Sequence, residues 1–249
     1  MCSSDLSDLD IIFLYDDPAE NAAEIYARFG QRINNWLNSL TAAGMLYETD
    51  LQLRPDGASG LLVSSVEAFR EYQQHKAWVW EHQALTRARF SAGNPKVGIL
   101  FDGVRAEVLS QRRNADSLRH EILEMREKVH AGHPNPSDDF DLKHDAGGMV
   151  DIEFIVQFLV LAYAHQHPQL IGNLGNIALL RIAGELKLID PVSAQLVGDA
   201  YRLLRAKQHR LRLDGAEKTR ISLEGNAEMI LARDAVLALW REIFRVKVG

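Results

Sequence analysis

The chain has 249 residues, room for one large domain or two smaller ones, and its 47% apolar and 25% charged residues are an ordinary globular mixture. A net charge of −6 argues against a general DNA or RNA binder, and no uncharged apolar stretch is long enough for a membrane span. The single cysteine, Cys2, excludes an internal disulfide, and the polar start is unlike a signal peptide, so a cytoplasmic protein with neither nucleic acid nor membrane as partner is expected.

The first element reads as a strand. In Ser7-Asp8-Leu9-Asp10-Ile11-Ile12-Phe13-Leu14-Tyr15 side chains alternate between faces, so Asp8 and Asp10 point the same way, about 6.6 Å apart. The apolar tail over residues 11–14 marks the strand as central and buried. Ile25, Phe29, Ile33, Trp36, Leu37 and Leu40 then recur at helical spacing and predict a helix over 21–40, ended by Gly44. A second strand is expected over 46–54. Tyr47, Thr49, Leu51 and Leu53 form one face of it, and Glu48, Asp50, Gln52 and Arg54 the other.

If the two strands pair, Asp8, Asp10 and Asp50 converge on one solvent-facing patch. That is the oxygen donor set that hard divalent cations take. Two metals so held position an attacking oxygen and stabilise a leaving one in phosphoryl or nucleotidyl transfer. Asp-x-Asp alone also occurs in solvated turns and helix caps. The apolar strand behind it and the polar face of its partner are what favour a metal site. Arg54-Pro55-Asp56-Gly57-Ala58-Ser59-Gly60 then forms either an ordinary hairpin connection or a turn where backbone N–H groups and a guanidinium meet phosphates.

Gly60-Leu61-Leu62-Val63-Ser64 reads as a short third strand. Ser64-Ser65-Val66-Glu67 has capping-box spacing and opens a helix expected to run, straight or with a bend, through Trp78-Val79-Trp80-Glu81-His82 towards Arg89, where Ser91-Ala92-Gly93-Asn94-Pro95 breaks it. Beyond Pro95 the period turns helical, which divides the chain into an αβ unit over 1–95 and an all-helical unit over 96–249. Leu118, Ile122, Met125 and Val129 make a stripe that Gly132 and Pro134 terminate. Residues 138–143 read as an extended insertion, and Gly147-Gly148 as a turn. Residues 149–165 form the most apolar helix, central to a bundle. Asp190-Pro191 supplies an N-cap with proline at the first helical position, for a helix through Leu213, and a last helix spans 227–246.

Several signals admit two readings. His144-Asp145 suggests a metal-dependent phosphohydrolase but lacks the further ligands such a site needs, and is read as incidental. His165 and His167 are read as a helix end, where histidine suits the dipole. Trp78 and Trp80 either stack on adenine or, the favoured reading, pack in the core. Asp151 and Glu153 either favour the N-terminus of their helix or join Lys143 in a site.

The αβ unit with Asp-x-Asp on one strand and a third Asp on another looks like a polymerase-β-type nucleotidyltransferase core. Longer strings narrow this. The Asp8/Asp10 strand, Tyr47-Glu48-Thr49-Asp50-Leu51-Gln52-Leu53-Arg54-Pro55, Trp80-Glu81-His82-Gln83-Ala84-Leu85-Thr86-Arg87-Ala88-Arg89 and Phe140-Asp141-Leu142-Lys143-His144-Asp145-Ala146-Gly147-Gly148-Met149-Val150-Asp151-Ile152-Glu153-Phe154 resemble the glutamine synthetase adenylyltransferase/deadenylylase family. The resemblance covers nearly the whole chain. Trp80-Glu81-His82, Glu124-Met125-Arg126-Glu127-Lys128 and Val150-Asp151-Ile152-Glu153 are more similar to the adenylylating unit of that family than to the adenylyl-removing one.

The resemblance implies an α+β fold, a nucleotidyltransferase core followed by an all-helical bundle. It implies magnesium-dependent transfer of AMP from ATP to a tyrosine of glutamine synthetase, with a P-II nitrogen-signal protein as regulator of the full-length enzyme. Asp8, Asp10 and Asp50 would hold the metals, with Asp50 helping to activate the tyrosine hydroxyl. Ser7 and Arg54 would contact the nucleotide, and Lys143, Asp151 and Glu153 would face the cleft. The family places a helix and a Gly-rich or Gly-Ser turn before the Asp-x-Asp strand. Only residues 1–7 precede Asp8 here, so the core is expected to be N-terminally truncated and its activity reduced. The alternatives are the deadenylylating unit, or a non-catalytic docking or regulatory module.

Overall fold

The computed structural model describes residues 8–42, 44–45 and 47–245, and groups the chain into two units, Met1–Val108 and Leu109–Gly249. Among the described residues the first mixes helices with short strands, and the second is built of helices and one two-residue strand pairing. Among the described residues no helix is long and apolar enough to cross a membrane.

In the first unit, β1 (Asp8–Asp10) and β2 (Phe13–Tyr15) are successive pieces of one extended stretch. β1 pairs in parallel with β5 (Glu48–Asp50), and β2 pairs in parallel with β6 (Val63–Ser65). The Ile11 N–H donates to the Asp50 carbonyl at 2.9 Å and extends the first pairing. The helix α1 (Ala22–Leu37) covers one side of this framework. A Cβ on Gly30 would lie 3.2 Å from Val63 Cγ1 and 3.4 Å from the Phe13 ring, and Tyr15 stacks on Tyr26 with centroids 5.1 Å apart. Thr49 is tied to the same helix, donating to Asn34 Oδ1 at 2.5 Å and accepting from Asn38 Nδ2 at 2.7 Å. Ile12 and Leu14 turn instead to a core of Val66, Phe69, Leu85, Phe101, Val104 and Val108. These residues come from α2 (Val66–His75), α3 (Val79–Leu85) and α4 (Pro95–Leu109), and Pro95, where the sequence changes character, opens α4. Burial of these apolar side chains, about 1.5–3 kcal/mol each, is what holds the strand ends in place.

Several expected boundaries move. The helix expected over 21–40 stops at Leu37, and Leu40 begins a hairpin of β3 (Leu40–Thr41) and β4 (Gly44–Met45). Its apolar stripe is largely uncovered: Ile25 is 53% and Trp36 65% exposed, while the helix meets the sheet through the small residues Ala22 and Gly30. The second strand ends at Asp50 rather than near Arg54, because the Asp50 carboxylate accepts the Gln52 N–H at 2.7 Å and starts a turn. The cap of α2 is Ser65, whose hydroxyl accepts the Ala68 N–H at 3.1 Å, not Ser64. The long helix expected towards Arg89 divides into α2 and α3. The Glu81 carboxylate captures the Trp78 N–H at 2.8 Å and starts a new helix there.

In the second unit α6 (Met149–Tyr163) is buried at every residue from Met149 to Ala162 and forms the centre. Around it lie α5 (Ala115–Gly132), α7 (Asn176–Glu185), α8 (Pro191–Leu213) and α9 (Ala227–Phe244). Asn114 caps α5 through the Asp116 and Ser117 N–H groups, and Asp190 caps α8 through Ser193 N–H at 2.8 Å. The unit is not purely helical. β7 (Phe140–Asp141) pairs antiparallel with β8 (Arg220–Ile221) and anchors the loop before α6. The α5 stripe also differs from expectation, since Leu118 and Ile122 are buried together with Arg126, while Met125 and Val129 are half-buried.

Candidate functional site

Asp10 and Asp50 are direct partners across the parallel β1–β5 pair, and Asp8 is the partner of Glu48. Neighbouring strands lie about 4.8 Å apart, so equal-parity residues in register share a face. Thr49 is committed to α1, so Asp50 projects to the other side. One Asp50 oxygen is already oriented by the Gln52 N–H. Asp10 is exposed and Asp50 half-buried. Among the described residues no group of three or more His, Cys, Asp or Glu side chains is placed to hold a metal ion. Ser7 and the Asp8 side chain lie outside the described residues, so the described part of the expected triad is the pair Asp10 and Asp50. Two hard carboxylates on one rung fit a divalent cation that also takes water or phosphate oxygens.

Arg54 is not poised over this rung. Its guanidinium donates to the carbonyls of Leu51 at 2.6 Å, Ala58 at 3.3 Å and Gly60 at 3.4 Å, and so closes the turn after β5 on itself. Asp56 and Gly57 both take left-handed backbone there, with φ of 60° and 54°.

That turn forms one wall of a cavity of about 550 Å³, lined among others by Gln52, Asp56, Tyr72, Trp78, Trp80 and Glu81. Glu81 is only 5% exposed. It accepts the Tyr72 hydroxyl at 2.9 Å and the Trp78 N–H at 2.8 Å. Burial, and then the bond to Glu81, push the Tyr72 phenol up to about 12. His82 Nε2 lies 2.8 Å from the Gln73 carbonyl and pins α3 to α2. The core-packing reading of the two tryptophans is corrected here: Trp78 is 69% exposed and Trp80 half-buried, both on the cavity wall. Sequence reasoning missed Tyr72 and the hub role of Glu81. The signal available was Glu81 standing three residues after Trp78, the spacing of a carboxylate that caps its own helix.

The second unit holds a separate buried charge network. Arg126 Nε donates to Asp151 Oδ1 at 2.5 Å and its Nη2 to the His144 carbonyl at 2.8 Å, while Asp151 Oδ2 accepts the Gly147 N–H at 2.7 Å. Burial pushes the Asp151 carboxyl up, against the pull of the Arg126 charge and the Gly147 N–H. Asp141 accepts the N–H groups of Lys143 at 2.9 Å and His144 at 3.0 Å. Burial raises its carboxyl, but the bonds from His144 and Lys143 outweigh that and hold it well below the usual range. Glu153 accepts from the Tyr201 hydroxyl at 3.3 Å, and Lys143 is buried with them. The loop is tight: a Cβ on Gly148 would lie within 3.0 Å of the carbonyls of Leu142, Lys143 and Asp145. His144 stacks on His133 at 4.0 Å, and Asp145 accepts the Asn135 amide and the Asp141 N–H, so that dipeptide is occupied in holding the loop. Arg126 and Asp141, both missed at the sequence level, organise this network. An arginine inside an otherwise apolar helical stripe was the sign of the first.

Comparison with known proteins gives the arrangement its context. Residues 5–104 match the model of the glutamate-ammonia ligase adenylyltransferase family, and residues 111–235 match that of the GlnD PII-uridylyltransferase family. The chain is 58% identical over 238 residues to a bifunctional glutamine synthetase adenylyltransferase/adenylyl-removing enzyme of Aromatoleum aromaticum, covering 96% of this chain and 25% of that protein. Proteins of the same name from Burkholderia pseudomallei and Neisseria meningitidis are 54% and 49% identical, each over 96% of this chain and 26% of their own length. The chain thus spans about a quarter of the length of the curated relatives it matches. With one family model matched through the acidic rung and the turn after it, and half or more of the residues identical in relatives of one name, the chain belongs to the glutamate-ammonia ligase (glutamine synthetase) adenylyltransferase family.

Proposed function

We propose that residues 1–95 form a polymerase-β-type nucleotidyltransferase core and residues 96–249 its helical companion, and that together they transfer AMP from ATP to a tyrosine of glutamine synthetase. The observation that carries this reading is the shared rung of Asp10 and Asp50 in a chain so similar to enzymes of that name. Asp8, Asp10 and Asp50 would hold Mg²⁺, which when bound neutralises phosphate charge and acidifies a hydroxyl. Asp50, whose carboxylate accepts the Gln52 N–H, would take the proton of the attacking tyrosine oxygen. The bond from that oxygen to the α-phosphorus forms as the bond to pyrophosphate breaks, and pyrophosphate leaves with the electron pair. Arg54 fixes the turn after β5. A contact from it to phosphate requires exchange of one of its carbonyl partners. Ser7 completes the proposed nucleotide contacts in this unit; a nucleotide role for Lys143, Asp151 and Glu153 of the helical unit requires release of the bonds and packing that bury them. A P-II-type signal protein as regulator and a cytoplasmic location belong to the same reading.

The relatives' name carries both activities, so adenylyl removal is the second reading; the Trp80-Glu81-His82 string favours transfer. Incubation of the 249-residue chain with glutamine synthetase, Mg²⁺ and ATP labelled at the α-phosphate tests both. Label appearing on glutamine synthetase, at the reduced level expected from the sequence, supports the transfer reading. Release of label from pre-adenylylated glutamine synthetase, with no incorporation, would replace transfer by removal. Neither activity would leave the docking-module alternative.

A further inference from the structure

The cavity after β5 is lined by Gln52, two residues past the acidic rung, and nothing in nucleotidyl chemistry so far uses it. We propose that it is the acceptor subsite, receiving the aromatic ring of the tyrosine to be modified as a polypeptide segment presents it; this rests on the transfer reading above.

Position is the first argument. Gln52 lines the cavity, and its N–H is bonded to the Asp50 carboxylate at 2.7 Å. Gln52 thus links the cavity wall to Asp50, the residue the attacking hydroxyl has to reach. Chemistry is the second. The wall offers the faces of Trp78 and Trp80 and the Tyr72 ring, with Asp56 and Glu81 as its charged members; among the described residues that line it there is no lysine or arginine. Such a surface repels a polyphosphate and stacks a neutral ring. Trp78 is 69% exposed, so its ring is open to a partner. Rigidity is the third. Both Glu81 oxygens are engaged, one by the Tyr72 hydroxyl and one by the Trp78 N–H, and His82 ties α3 to α2. The wall is therefore set before anything binds, which lowers the ordering cost of binding. A volume of about 550 Å³ accommodates one ring and its flanking backbone.

The test uses the full 249-residue chain labelled with fluorotryptophan, whose signals report Trp36, Trp78, Trp80 and Trp240 separately. It is titrated with N-acetyl-tyrosinamide, with N-acetyl-leucinamide as control, and with AMP. The Trp78 and Trp80 signals are expected to move saturably with the tyrosine probe alone, while Trp36 and Trp240 stay. Trp78→Ala, at an exposed position that does not threaten folding, should weaken the probe about two- to tenfold. Movement with AMP instead would make the cavity a nucleotide site and overturn the proposal, as would no movement with either. The readout is independent of turnover. Probe binding without label transfer would fail the transfer reading and leave the subsite, and transfer without probe binding would do the reverse.

Discussion

Asp10 and Asp50 occupy the same rung of a parallel strand pair. Two carboxylates one strand spacing apart repel each other unless a cation lies between or beside them, and the proposed metal site gives that repulsion a use. Asp10→Asn and Asp50→Asn are each expected to reduce α-phosphate label transfer by about a hundredfold or more, while leaving the urea midpoint unchanged or slightly raised. A loss of transfer that merely tracks a loss of folded protein would remove both from the chemistry.

The reading of the buried α6 and the Asp190-Pro191 start of α8 needed only period and caps, and those elements stand where the sequence placed them. The Asp8/Asp10 strand, expected to be central and buried, is split into β1 and β2, each paired with one strand among the described residues, and its apolar residues 11–14 are half-buried. The break between α2 and α3 was not legible, because it depends on Glu81 reaching the Trp78 N–H, a contact that helical periodicity masks. The early end of β5 has the same kind of cause, a carboxylate satisfying a nearby N–H. The apolar stripe of α1 misled in the other direction. Ile25, Phe29 and Trp36 have the pattern of a core face but stay in solvent, since pattern records what a helix can bury and not what is there to cover it.

Arg126 and Asp151 form an ion pair in which both side chains are withdrawn from water. Removing one partner leaves a buried charge with nothing to offset it, so Arg126→Met should cost about 3–5 kcal/mol by urea unfolding. Asp151→Leu added to it should recover part of that and not all, because the Gly147 N–H then loses its acceptor. Equal stability of wild type and Arg126→Met would show that the pair contributes nothing to the fold.

Gly148 is hemmed in by three carbonyl oxygens at the entry to α6. Gly148→Ala forces the loop to shift and should cost about 1–3 kcal/mol, whereas Gly175→Ala, where a Cβ meets nothing within 4 Å, should change stability by well under 1 kcal/mol.

Asp141 gives the second unit a defined acid response. Its folded-state affinity for protons is depressed, so its contribution is present above the ordinary carboxyl value of about 3.9 and is lost as pH falls towards its folded value. Asp141→Asn should therefore be clearly less stable than wild type at neutral pH, with the gap closing below about pH 4. A gap independent of pH would assign the effect to shape and not to charge.

Tyr72 carries the opposite sign. Its phenol is raised from 10.0 to about 12, first by burial and then by the Glu81 carboxylate. The contribution to stability is complete below the ordinary value and is lost as pH rises through the raised one. Ultraviolet titration of the chain should show a late tyrosine step at about 12. In Glu81→Gln the amide oxygen still accepts the hydroxyl while the charge is gone, so the late step should move down without reaching 10. Tyr72→Phe should delete the late step altogether. If the late step survives Tyr72→Phe, another tyrosine is responsible, and the Tyr72–Glu81 bond is not what holds this wall of the cavity in place.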